Sequence, residues 1–125
     1  MQLENTGFAG LRLIEAYGDK GFRFTDGRHE GSVLILPKRI EGFAVSSMSE
    51  VDLESFGSVI AQRAEIEILL IGTGEKQVFP AQDIIKYFIE QKIALEVMDS
   101  RAACRTYNIL ASEDRKVAAA IIAVD

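Results

Sequence analysis

The hydrophobic positions of this 125-residue chain change rhythm about a third of the way along. Before that point they form short runs separated by turn residues. Leu11 to Tyr17 and Gly21 to Phe24 flank a Gly18-Asp19 turn signal, and His29 to Leu36 ends at Pro37. Short apolar pieces punctuated by glycine, aspartate and proline predict antiparallel strands. A further extended segment, Phe43 to Ser46, is expected after a Glu41-Gly42 turn. It leads into Ser46-Ser47-Met48-Ser49, where Ser49 is placed to cap a helix, with Asp52 three residues on as a weak capping box.

Beyond residue 50 the period lengthens. Leu53, Phe56, Val59 and Ile60 recur at helical spacing, which predicts an amphipathic helix over 50–63 despite Gly57. Glu65 to Ile71, bounded by Gly72-Thr73-Gly74, has the continuous apolar run of a strand buried on both faces. Pro80 suits the first turn of the next helix, since it has no N–H to leave unpaired there. The buried face of that helix is predicted at Ala81, Ile84, Ile85, Phe88 and Ile89, with Gln82, Asp83, Lys86 and Glu90 in water. A second buried strand is expected at Ile93 to Met98, then a helix from about Arg101 to Ser112, a polar turn at Glu113 to Lys116, and a last strand from Val117 to Val124. Strand, helix, strand, helix, strand is the order that builds a mostly parallel sheet covered by helices. The fold class expected is therefore α/β, with an antiparallel β layer at the front and one domain over residues 1–125.

Composition narrows the function classes. Apolar residues make up 48% and charged residues 26%, the balance of a folded globular chain able to bury a core. The formal net charge is −5 and the densest basic pair, Lys38-Arg39, is followed by Glu41, so no cationic stripe exists to neutralise phosphates and a nucleic-acid partner is not expected. One cysteine cannot form an internal disulfide. The opening MQLENTGFAG has neither a signal-peptide nor a transit-peptide pattern, and the longest apolar runs fall short of the ~20 residues of a membrane span. A cytoplasmic chain without a membrane span is the expectation.

Candidate chemistry concentrates in two places. A structural zinc site needs four cysteine or histidine ligands, and only His29 and Cys104 are on offer; His29 reads as a surface or edge-strand residue. The Gly72-Thr73-Gly74 turn lies at the carboxyl end of a parallel strand, where α/β sheets bind ligands. Position 77 is Gln, so the third glycine of a dinucleotide fingerprint is missing, as are the lysine and hydroxyl of a P-loop. In MDSRAACRTYN, residues 98–108, Asp99 or Ser100 serves as N-cap, Ala103, Tyr107, Leu110 and Ala111 share an apolar face, and Arg101, Arg105, Asn108 and Ser112 share another. Cys104 sits beside the apolar face, where a free cysteine is commonly a small buried hydrophobe. Arginines in the first turns oppose the helix dipole unless an anion compensates. That anion is either Asp99 or a bound carboxylate or phosphate held by the helix N–H groups and Arg105 beside the glycine turn. A tyrosine-phosphatase loop would need arginine six places after the cysteine, and residue 110 is Leu.

The order of these motifs resembles the small Mth-type domain family. A strand ends in Gly-Thr-Gly, a helix follows Pro80, and a strand runs into Met98-Asp99-Ser100. Ala103-Cys104-Arg105-Thr106-Tyr107-Asn108 and a Val117-Ala118-Ala119-Ala120 strand complete the pattern, and Gly31-Ser32-Val33-Leu34 to Pro37 match as well. The family includes a mitochondrial respiratory complex I assembly factor, an adipogenesis-associated protein and uncharacterised bacterial members. What the resemblance implies is a three-layer α/β domain whose mixed central sheet has its last strand antiparallel to the rest, in a family for which no enzymatic activity is established; no cofactor is expected. It also implies recurrent residues Gly72, Gly74, Pro80, Ala103, Thr106 and Asn108, and protein partners. Arg101 stands where bacterial relatives often carry glycine, and Phe43 stands where tryptophan is common, as the aromatic anchor of an interface.

Two functions follow as expectations. The first is a non-catalytic interaction or assembly module. The second is a small-molecule or anion-binding protein, with an enzyme left open as one form of it, using a pocket between the Gly72–Gly74 turn and the helix starting near Ser100, lined by Gly72, Thr73, Gly74, Pro80, Asp99, Ser100, Arg105, Thr106 and Asn108. A homo-oligomer is expected to form, if at all, through an edge strand of the front layer or the apolar stretch from Phe43 to Met48.

Overall fold

The computed structural model describes residues 12–125; Leu11 and the opening ten residues lie outside them. Among the described residues eight strands form two sheets. β1 (Ile14–Gly18), β2 (Gly21–Phe24) and β3 (Gly27–Glu30) make an antiparallel meander in that order. β4 (Val33–Ile35), β5 (Ile40–Gly42), β6 (Ile68–Gly72), β7 (Ala94–Met98) and β8 (Val117–Ile121) make a five-stranded sheet ordered β5-β4-β8-β6-β7. β6 is parallel to both β7 and β8, while β4 is antiparallel to both β5 and β8. The mixed sheet is as expected, but its last strand is not the reversed one. The crossover after β7 returns the chain to insert β8 alongside β6 in the same direction, and β4 supplies the antiparallel pairing.

Central position explains composition. β4, β6 and β8 are buried along their whole length, and alternate residues serve two cores. Leu34, Leu69, Ile71, Ala118 and Ala120 face one core with Phe56, Val59, Ile84 and Phe88. Val33, Ile35, Ile68, Leu70, Ala119 and Ile121 face the other, with Ile14, Phe22 and Phe24 of the meander and Ala103, Cys104 and Tyr107. Each fully buried Leu, Ile or Phe contributes about 1.5–3 kcal/mol. Helix α2 (Gln82–Glu90) therefore lies on one face, and helix α3 (Ser100–Ser112) shares the opposite face with the meander.

Several boundaries differ from the sequence reading. The run from His29 to Leu36 breaks at Gly31, whose φ of +83° suits glycine and turns the chain from the meander into the central sheet. Glu41 and Gly42 belong to β5, and Phe43 is buried against Phe56 at 5.7 Å between ring centroids, so it is a core residue, not an interface anchor. The segment 50–63 is not one helix. Met48–Glu50 and Leu53–Phe56 are single 3-10 turns, α1 spans only Gly57–Ala61, and Arg63–Glu65 is again 3-10. Ser49 does not cap; Asp52 and Ser55 form a reciprocal capping box that starts a new turn at Leu53. Pro80 precedes the α2 cap Ala81 and lies outside the first turn. Ile89 is exposed and Ile85 half-buried, because α2 lies above the sheet margin and only Ile84 and Phe88 face the core fully. β7 is likewise not a doubly buried strand: it is the outer strand, with Ala94 and Glu96 exposed.

Candidate functional site

The carboxyl ends of β6 and β7 bring the two sequence motifs together. α3 begins immediately after β7, and Asp99 caps it by accepting the Ala102 N–H at 2.9 Å. Ser100, the first helical residue, is buried and faces the Gly72-Thr73-Gly74 turn. Its N–H donates to Gly74 O at 2.9 Å, and its Oγ donates to Ile122 O at 2.6 Å and accepts from Gly74 N–H at 2.8 Å. One serine thus joins the ends of β6 and β8 to the start of α3. Gly74, at φ +105°, turns its backbone toward that hydroxyl.

Thr73 closes the loop beyond the turn. Its N–H donates to Met98 O at 2.9 Å, its hydroxyl donates to Lys76 O at 2.5 Å, and the same oxygen accepts from Val78 N–H at 3.1 Å. Gly72 is needed for close approach. A methyl group there would lie 2.8 Å from Ile121 Cγ2, 3.0 Å from Ala103 Cβ and 3.1 Å from Ser100 Cα. Turn and helix therefore abut directly at Gly72, Gly74 and Ser100 bond each other, and the polar atoms of Thr73 are taken up by Met98, Lys76 and Val78.

Arg101 is matched by an acid of the chain itself. Arg101 Nη1 donates to Glu75 Oε1 at 2.6 Å, and Arg101 Nη2 donates to Asp125 O at 2.9 Å. Glu75 in turn accepts from Asp125 N–H at 3.3 Å. The hydrogen bond from Arg101 is the main reason the Glu75 carboxyl sits below its ordinary range, and the same bond raises Arg101. Glu75 and Asp99 are the anions that offset arginine at this helix start. Arg105 is exposed and donates from Nη1 to the Tyr17 hydroxyl at 3.1 Å.

Asn108 lies two turns further on. It accepts the Ile14 N–H and donates to Ile14 O, both at 2.8 Å, so its amide pairs with β1 as a neighbouring strand would. Thr106 is half-buried on the opposite flank of α3. Of the residues grouped from the sequence, Gly72, Thr73, Gly74, Asp99 and Ser100 converge at one point. Pro80 is buried at the far end of the loop, and Arg105 and Asn108 reach the meander instead.

Cys104 is buried, and burial pushes its thiol up to about 12 despite the opposing fields of Arg105 and Arg101. At neutral pH it is a thiol, not the thiolate nucleophile. Tyr107 is pushed up to about 12 for the same reason. Among the described residues no group of three or more His, Cys, Asp or Glu side chains converges to hold a metal ion.

Sequence reasoning passed over the loop that leaves this site. Val78 and Phe79 are 45% and 67% exposed, although Thr73 and buried Pro80 fix the loop at both ends. The available signal was an apolar pair directly after Glu75-Lys76-Gln77, outside any periodic run.

Comparison with known proteins fits this architecture. The profile of a family described as "Protein of unknown function (DUF498/DUF598)" matches residues 14–122. The Xenopus tropicalis protein named NADH dehydrogenase (ubiquinone) 1 alpha subcomplex assembly factor 3 is 35% identical over 114 residues, which are 91% of this chain and 62% of that protein. A solved structure described as an outer membrane protein from Bartonella henselae is 37% identical with a TM-score of 0.87, covering 91% of this chain and 96% of that one. A Bordetella pertussis structure described as a Mth938-like domain is 24% identical with a TM-score of 0.77 over 90% of this chain and 86% of its own, a likeness of fold. Among the described residues no helix is long and apolar enough to cross a membrane. The chain belongs to the DUF498/DUF598 family and carries its Mth938-like fold.

Proposed function

We propose that this chain is a non-catalytic protein-interaction module of the assembly-factor kind, working in the cytoplasm. The observation that carries the reading is Phe79, a large apolar side chain two-thirds exposed on a loop pinned at both ends. An aromatic displayed on a fixed loop is the anchor residue of many interfaces, since little ordering entropy is lost when it is covered. The assembly-factor relatives support the same direction, and the occupied hydrogen bonds of Ser100, Thr73 and Gly74 leave few groups at the strand ends to bind a small molecule.

Crosslinking and affinity capture of the tagged full chain in its own cells should recover a subunit or assembly protein of a multisubunit complex in stoichiometric amount from the soluble fraction. Phe79→Asp should abolish that capture while leaving the melting temperature unchanged. Capture that survives Phe79→Asp overturns the role given to Phe79. A phosphate-induced rise in melting temperature that Arg105→Ala removes would favour an anion site at the α3 start instead.

A further inference from the structure

β7 is the outer strand of the central sheet, and among the described residues its one strand neighbour is β6. Along a parallel strand, backbone groups of alternate residues face opposite neighbours. Ala94 N–H reaches Glu67 O at 2.9 Å and Met98 O receives the Thr73 N–H at 2.9 Å, so Ala94, Glu96 and Met98 face β6. Ile93, Leu95 and Val97 face outward. Two of their groups are engaged from within the chain: Ile93 N–H donates to Phe88 O at 3.0 Å, and Val97 O accepts from Gln77 Nε2 at 2.9 Å. Ile93 O, both groups of Leu95, and Val97 N–H point past the sheet margin.

That outward set is self-complementary. In an antiparallel pair of β7 strands about a two-fold axis at Leu95, the two Leu95 residues exchange both hydrogen bonds. On either side Val97 N–H donates to Ile93 O of the other strand. The same ladder would otherwise require Ile93 N–H and Val97 O, and these are the two groups already satisfied internally. The geometry points to an edge-to-edge dimer in which β7 pairs with β7 of a second copy of this chain, making one continuous sheet from two.

The flanking side chains agree. On α2, Tyr87 packs into the core from one flank, so Ile85 and Ile89 project from the other, over the β7 margin. Ile89 is 65% exposed in the single chain. A two-fold axis perpendicular to the sheet places both α2 helices on one face, where Ile85 and Ile89 of each copy meet. In this register Glu96 stands opposite Ala94 of the other copy in a non-hydrogen-bonded pair, the closer kind, with no like charges facing each other.

The register supplies its own test. Ala94 is exposed, so substitutions there leave the fold intact. Sedimentation equilibrium of the full chain from micromolar to millimolar concentration should show a reversible dimer. Ala94→Lys, facing Glu96, should lower the dissociation constant and Ala94→Glu should raise it. With two such pairs per dimer, each change should be roughly two- to thirtyfold at low salt. A monomer at every concentration, which would leave the edge for a strand from another protein, overturns the inference. So does a dimer with the same dissociation constant in both Ala94 variants.

Discussion

Ser100 shows how much one side chain can organise. Its hydroxyl and N–H tie Gly74, Ile122 and the first turn of α3 together, and the residue is 1% exposed. Ser100→Ala keeps the helix propensity but leaves the Gly74 N–H and Ile122 O buried without their partner. We expect a loss on the order of 2–4 kcal/mol in urea unfolding, since a buried unsatisfied group costs about 1–3 kcal/mol. Ser100→Thr should not rescue it fully, because the space that excludes a methyl group at Gly72 has Ser100 as one wall. The capping role of this motif was legible in the sequence. Which of Asp99 and Ser100 caps was not: Asp99 takes the helix N–H, which frees Ser100 to bond across the sheet.

At the scale of elements, α3 is fastened to the meander by a side chain acting as a strand. Asn108 satisfies the N–H and C=O of Ile14 on the outer side of β1, and Arg105 reaches Tyr17 one turn earlier. Asn108→Ala should cost about 1–3 kcal/mol, two hydrogen bonds at roughly 0.5–1.5 kcal/mol each. Hydrogen exchange should locate that loss in β1, with Ile14 N–H exchanging first; protection of Ile14 equal to the native chain would contradict it. The strands and helices after residue 65 could be read from apolar period and caps because their burial is regular. Residues 48–65 could not. Leu53, Phe56, Val59 and Ile60 keep helical spacing, yet the local Asp52–Ser55 box restarts the chain in a 3-10 turn. Phe56 then reaches Phe88 edge-on at 5.5 Å.

Across the whole molecule, exposed charge pairs tie the loop after β6 and the end of the chain to elements that already share a core. Arg101, Glu75 and the backbone of Asp125 link α3, the loop after β6 and the end of the chain, and Lys20 approaches Asp125 from the meander at 3.4 Å. Glu75 is held below its ordinary 4.5 chiefly by Arg101, so the folded state favours its ionised form. That contribution is complete above pH 4.5 and fades as pH falls through the lowered value. The native chain should therefore melt higher than Glu75→Gln near neutral pH, with the gap closing in acid. Because the group is exposed, the gap should also shrink with salt. A gap that persists unchanged in acid would show that charge is not its source.

The sequence by itself determined what depends on near neighbours: the α/β class, the short front strands, α2 and α3, the apolar central strands and the cap of MDSRAACRTYN. Helix periodicity, capping and turns are set within about four residues, so one chain suffices to read them. The tertiary structure alone decided what depends on distant partners. Gly31 divides the stretch His29 to Leu36 between two sheets, β8 inserts between β4 and β6, and β7 is left at the margin. Asn108 finds Ile14 94 positions away and Arg101 finds Glu75 26 away. No local pattern encodes such pairs, because the free energy that selects them is released only when the sheet order brings their backbones together.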